Sequence, residues 1–244
     1  MVDGFVPVLI RKKFMRFSLW LISFGIVWLT SCATSEVEPD LTRLGHDYFP
    51  MKVGMFRVYD MDETTHRILG PERRRFQMRE TVVDSIVLSG SEVRYTLHRE
   101  TRSDDEGVWS LDSVWTARVS TQRAIVTENN VQFIKMVFPI ENELEWDANA
   151  YNSRNFEYYR YDNTTRDTTF FENQYDDLWR VYHGPNLEEN FLGWNSRSEI
   201  YARNVGLIHK SVHIWNYCQQ GCSSEKQIVA GRDLTQVLIE YGED

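Results

Sequence analysis

Six histidines and three cysteines carry most of the chemistry this chain could perform. His209 and His213 stand four positions apart, a spacing that on a helix lets two imidazoles reach one zinc ion. Here Val212, Ile214 and Trp215 read as strand, where four residues span roughly 13 Å, too far for one ion. His46, His66, His98 and His183 stand apart from that pair and from one another in sequence. The acidic runs Asp104-Asp105-Glu106 and Asp176-Asp177 lack the alternating spacing that aims several oxygens at one calcium ion, and they read as solvated loops. No G-x-S-x-G elbow and no glycine-rich phosphate loop accompanies the serines. The pattern therefore predicts no metal and no cofactor, and nominates no catalytic nucleophile.

The third cysteine belongs to an address. Residues 1 to 31 hold four basic side chains (Arg11, Lys12, Lys13, Arg16) and one acidic (Asp3), followed by the apolar run Phe17 to Thr30. That run has the charge order and length of a secretory signal, and is shorter than the about 20 apolar residues a membrane-spanning helix needs. It stops at Leu29-Thr30-Ser31-Cys32, which resembles the lipobox of bacterial lipoproteins. The resemblance implies cleavage before Cys32, a diacylglyceryl thioether on its sulfur and an acylated amino terminus. Several acyl chains hold a protein firmly on a membrane it does not cross. Met15 opens a complete short signal of its own, so it is an expected alternative start. Residues 32–46, polar and containing Pro39, are expected to form a flexible tether; the absence of Asp after Cys32 implies, by the same resemblance, the outer membrane.

An exported chain changes the reading of the other two cysteines. Cys218 and Cys222, in Tyr217-Cys-Gln-Gln-Gly-Cys, are predicted to form a disulfide fixing the end of a hairpin. Across the whole chain of 244 residues, 27 basic face 36 acidic side chains, for a formal net charge of −9. Removing the basic leader leaves an acidic body that repels phosphate backbones, so nucleic acid is excluded as an expected partner.

The body, 47–244, is a succession of β-rich runs separated by short turns. Lys52–Met61, Phe76–Leu88, Glu92–Glu100, Val108–Val119, Arg123–Thr127 and Val131–Ile140 make the first half. In the second half come Phe156–Tyr161, Thr168–Phe171, Asp177–Tyr182, Glu199–Ala202, Gly206–Tyr217 and Asp233–Tyr241. Connections this short make neighbours antiparallel. Between the halves Glu141–Arg154 reads as a long loop with room for one helical turn at Glu141–Trp146. The expected fold is mainly β: one domain, a single antiparallel meander forming a strongly curved sheet, half-barrel or barrel, with few short helices.

Three fragments resemble a family of uncharacterised outer-membrane lipoproteins: Asp47-Tyr-Phe-Pro-Met-Lys-Val-Gly54; Phe138-Pro-Ile140 followed by Trp146-Asp-Ala-Asn-Ala-Tyr-Asn152; and Glu199-Ile-Tyr-Ala-Arg-Asn-Val-Gly-Leu-Ile208. The resemblance implies location and fold, and no activity comes with it. Ala148 stands where that family tends to have glycine, which argues against a left-handed backbone there. Trp146, Asn149 and Asn152 are expected to plug one end of the sheet and to bond loop backbone.

The mature chain keeps six tryptophans and all twelve tyrosines. Trp109, Trp115, Trp146, Trp179 and Trp215 are the candidate lining of a concave, ligand-binding sheet. The expected role is therefore a non-catalytic one, in binding or in the structure of the envelope, with the membrane as partner through the lipid anchor. An apolar-ligand carrier and a hydrolase with an unrecognised site are the competing readings; an apolar ligand or another envelope protein is the expected further partner.

Overall fold

A computed structural model describes residues 40–163, 168–170, 173–175, 177–184 and 189–243. The signal peptide, Met15 and Cys32 lie outside these residues. Asp40 caps a short helix α1 (Leu41–Leu44), accepting from the amides of Thr42 and Arg43, and Gly45 ends it with a left-handed φ of 89°. A 3-10 turn, His46–Tyr48, follows. The expectation of a flexible tether through residue 46 is thus corrected from Asp40 onward, where a cap and two turns fix the backbone.

The strands are β1 (Met55–His66), β2 (Glu72–Ser89), β3 (Glu92–Arg102), β4 (Ser110–Val119), β5 (Arg123–Glu128), β6 (Val131–Val137), β7 (Glu145–Asp147), β8 (Tyr158–Asp162), β9 (Thr168–Phe170), β10 (Asn173–Tyr175), β11 (Leu178–His183), β12 (Gly193–Ala202), β13 (Gly206–Tyr217) and β14 (Ile228–Glu243). β9 and β10 pair with each other; the other twelve form one antiparallel sheet in the order β6-β5-β4-β3-β2-β1-β14-β13-β12-β11-β8-β7. The expected fold is what forms: a mainly antiparallel sheet curled into a nearly closed barrel.

Its first and last strands lie side by side, with Met55 opposite Glu243 and His66 opposite Gly231. The two free edges are β6 and β7, neighbours in sequence. Single hydrogen bonds bridge this seam: Ile134 N donates to the Ala148 carbonyl at 3.0 Å, and the Asn152 amide to the Gln132 carbonyl at 2.6 Å. Trp146 Nε1 donates to the Ile134 carbonyl at 2.9 Å.

Two readings change. The loop Glu141–Arg154 contains β7, and no helical turn forms at Glu141–Trp146; Leu144 N instead closes a turn onto the Glu141 carbonyl, and Trp146 enters the sheet. β1 and β2 run on through Asp62–His66 and Glu72–Arg75, which charge alone marks as loop. There cross-strand pairs such as Arg73 to Asp62 and Arg74 to Glu63 satisfy the side chains on paired backbone. Gly206, with a φ of 91°, closes the turn between β12 and β13.

Alternation along each strand decides what fills the barrel. At the end where β1 begins, the interior is packed by Tyr48, Val82, Leu97, Met136, Trp146 and Tyr161. Towards the other end the inward positions become larger and more polar, as in Lys210-x-Val212-x-Ile214 of β13 and Arg232-x-Leu234-x-Gln236 of β14. One end is closed and the other opens as a lumen.

Candidate functional site

The three fragments that stand out in the sequence meet at the closed end. Arg57, 3% exposed, donates from Nε to the Val205 carbonyl at 2.6 Å and from Nη2 to the Pro50 carbonyl at 2.8 Å, joining the first and third. Arg203 pairs with Asp47 and, at 3.1 Å, with the Tyr48 hydroxyl. The second fragment enters through His46, stacked on Phe138 at 3.9 Å, and through Tyr161, whose hydroxyl bridges the N–H and C=O of Val137. Asn149 Nδ2 bonds the Asn155 carbonyl at 2.6 Å and Asn152 Nδ2 the Asn149 Oδ1 at 2.9 Å. Trp146, Asn149 and Asn152 therefore plug one end, as their types suggest. Ala148 is fully buried and is absent from the left-handed residues.

Above this plug lies a charged layer. Glu199, 1% exposed, holds Lys210 Nζ at 2.9 Å and Lys135 Nζ at 3.1 Å on Oε1. Its Oε2 accepts from the Tyr201 hydroxyl at 2.7 Å and lies 3.3 Å from His183 Nε2, off hydrogen-bond alignment. Lys135 also reaches Glu128 at 2.8 Å, and His183 stacks flat on Tyr159 at 3.9 Å. Burial pushes the Glu199 carboxyl up, but Lys135, Lys210 and His183 more than offset it and hold it well below the usual range. Burial likewise opposes the Lys135 charge, and Glu128 with Glu199 outweighs it, holding the ammonium well above its ordinary value. Burial lowers the His183 imidazole, against the opposing pull of the Glu199 carboxylate. Arg99 lies over the face of Trp115 at 3.7 Å.

This layer separates two spaces. Below it a cavity of about 80 Å³ is lined by Phe49, Tyr59, Leu97, Val126 and Tyr201 with Arg57 and Glu80. Above it the open lumen measures about 580 Å³. Arg99, Trp115, Glu128, Lys135, Lys210 and Gln236 border both. At the rim stand Arg74, Arg154, Arg197 and Arg232, facing Glu63, Asp112 and Glu157. Among the described residues lining this lumen, seven arginines and lysines thus stand against four carboxylates. Phe76, Phe133, Val212 and Ile214 supply apolar wall between them. Beneath them Glu199 holds Lys135 and Lys210, and Glu80 lies 3.7 Å from Arg99; the side chains bordering the open space itself carry the excess of positive charge, suited to an anionic group with an apolar portion.

The five candidate tryptophans are not brought together. Trp115 lines the lumen. Trp146 and Trp179 pack in the closed end. Trp109 lies under the guanidinium groups of Arg79 and Arg102, at 4.9 and 4.4 Å, and Trp215 donates to Asp233 on the outer wall at 2.8 Å. Cys218 and Cys222 form the predicted disulfide, Cα atoms 5.7 Å apart. His209 and His213 share a strand, and no group of three metal-binding side chains gathers among the described residues. The luminal charges escaped sequence reading because they come from many separate strands and from the loop before β8. The signal that could have found them is a lysine or glutamate at an inward position of an alternating strand, as in Ile134-Lys135-Met136.

No family model matches the chain, and no curated protein matches it. Among solved structures it is similar to a candidate exported protein with a YmcC-like fold from Bacteroides fragilis, at 10% identity and a TM-score of 0.44. A candidate lipoprotein from Parabacteroides distasonis is similar at 13% identity and a TM-score of 0.41. In each case 80% of this chain and 98% of the other are covered.

Proposed function

We propose that this chain is a lipid-anchored protein of the outer membrane whose barrel holds an amphiphilic anion, without chemistry on it, in the open lumen. The observation that carries this reading is the excess of luminal cations over carboxylates around the 580 Å³ space. A carboxylate or phosphate at the level of Arg99, Lys135 and Lys210 would meet fixed donors in a partly desolvated site. Its apolar part would then lie along Phe76, Phe133 and Ile214, which face the same space. This narrows the expectation of an apolar-ligand carrier: size fits, but the wall asks for charge at one end of the ligand.

Titration with hexyl phosphate and with hexyl glucoside, read through tryptophan fluorescence, tests the binding half. The phosphate is expected to bind, more weakly at high salt and more weakly in Lys210→Met. Equal affinity for the two probes would overturn the reading. The anchor is tested separately: labelled palmitate should enter the wild-type protein and not Cys32→Ser, which should leave the membrane fraction.

A further inference from the structure

The outer wall holds an arrangement the lumen does not need. On β13, Ser211 and His213 point outward two residues apart, with Asp233 of β14 in register opposite His213. His213 Nδ1 lies 2.7 Å from Asp233 Oδ1, and His213 Nε2 lies 3.1 Å from Ser211 Oγ. With the Asp233 carboxylate at Nδ1, a proton held on that nitrogen leaves Nε2 facing the serine hydroxyl as an acceptor. Asp233 is itself held: Trp215 Nε1 donates to Oδ1 at 2.8 Å, and His66 Nε2 sits 2.6 Å from Oδ2. Burial raises the Asp233 carboxyl, and these hydrogen bonds more than offset that, keeping it ionised. Trp194 stacks on the His213 ring at 4.9 Å and 8°, fixing its plane. Serine, base and orienting acid thus stand in the order nucleophilic acyl transfer requires.

We infer that Ser211 is an acyl-accepting nucleophile, with His213 as its general base and Asp233 as the group that positions the imidazole. The substrate class is a carboxylic ester. Ser211 Oγ adds to the ester carbonyl as its proton passes to His213 Nε2; the tetrahedral intermediate collapses, the alkoxy group leaves and takes that proton as the free alcohol. Water, deprotonated by the same imidazole, then cleaves the acyl-serine to the carboxylic acid and restores the hydroxyl. Ser198 and Thr235, the register partners of Ser211 on the neighbouring strands, present hydroxyls on the same face of the sheet. Thr235 also borders an outer groove of about 620 Å³ containing Asp60, Asp62, Asp104 and Asp105 with Arg75. Asp62 is paired with Arg73 and Arg75, and Asp105 lies 3.9 Å from Arg102, which leaves Asp60 and Asp104 to favour a hydroxyl-rich or amine-bearing alcohol portion.

A fluorophosphonate probe applied to the full chain, with the labelled residue identified by mass spectrometry, tests this. Phosphonylation is expected at Ser211 and lost in Ser211→Ala, whose small, part-buried side chain leaves the fold intact by thermal melting. Asp233→Asn is expected to slow labelling roughly a hundredfold, and His213→Gln to do the same should the first variant melt early. No labelling above that of heat-unfolded protein, labelling at another serine, or wild-type rates in both folded variants would each overturn the inference.

Discussion

Lys135 of β6 and Glu199 of β12 meet 3.1 Å apart across the barrel, on strands that share no ladder. This contact and the Lys210 bond to the same carboxylate tie the two halves of the sheet together inside a wall whose seam has only isolated backbone bonds. Glu199→Leu takes the carboxylate from Lys210 and leaves Lys135 with Glu128 alone, and the expected loss is about 3–5 kcal/mol. Lys135→Met with Glu199 intact should cost less, because Lys210 remains on Oε1. Urea unfolding of both variants checks the order; equal losses would place the weight elsewhere.

Acid should weaken the fold in a defined window. Burial, with Arg180 and His213 adding to it, pushes His209 down to about 4, and burial lowers His183 and His46 as well. An unfolded histidine titrates near 6.5, so between these values the unfolded chain binds more protons. Stability is therefore complete above pH 6.5 and falls as the pH drops towards 4. The Glu199 contribution goes next, below about pH 4.5. Thermal midpoints from pH 7.5 to 4.5 should decline, and His209→Gln should flatten the upper part of that slope. An unchanged slope in the variant would assign the effect to the other two rings.

Gly206 permits the backbone turn that brings Val205 to Arg57. Its φ is 91°, and a Cβ there would stand 2.9 Å from Arg57 Nη2. Gly206→Ala is expected to cost about 1–3 kcal/mol through the strained backbone, with further loss from displacing the guanidinium. Equilibrium unfolding checks this, and a neutral result would show that the Arg57 bonds tolerate movement.

The tryptophans separate packing from surface. Trp146→Ala should cost about 3–5 kcal/mol, since its ring packs on Tyr161 at 4.6 Å and its N–H bonds across the seam. Trp109→Ala, which removes only contacts with Arg79 and Arg102 on the outer wall, should cost about 1 kcal/mol or less. Denaturant midpoints for the pair decide it.

Reducing Cys218–Cys222 should cost about 2 kcal/mol at most, because the closed loop is short. Hexyl phosphate affinity, read on the reduced protein, should not change, since neither cysteine borders the lumen.

Much of this architecture was legible because strands announce themselves in Val, Ile, Tyr and Phe at alternate positions, and Val93, Tyr95 and Leu97 keep that rule. It failed at Asp62–His66 and Glu72–Arg75, where opposed charges replace apolar pairs and composition imitates a loop. The plug around Trp146 was legible from residue type, since a buried indole and two amides need partners. The charged layer was not: Lys135, Glu199 and Lys210 come together only when a sheet of twelve strands curls. The pairing of His213 with Asp233 was hidden for the same reason, since no local spacing reveals a cross-strand register.

Because β1 and β14 run antiparallel as neighbours, residues near 55 and near 243 finish at the same, plugged pole. A short peptide joining them would leave every ladder intact, and a chain reopened between Ser103 and Gly107 should refold to the same barrel. Fusions after Glu243 would likewise sit at the pole where β1 begins, leaving the mouth unobstructed for whatever enters it.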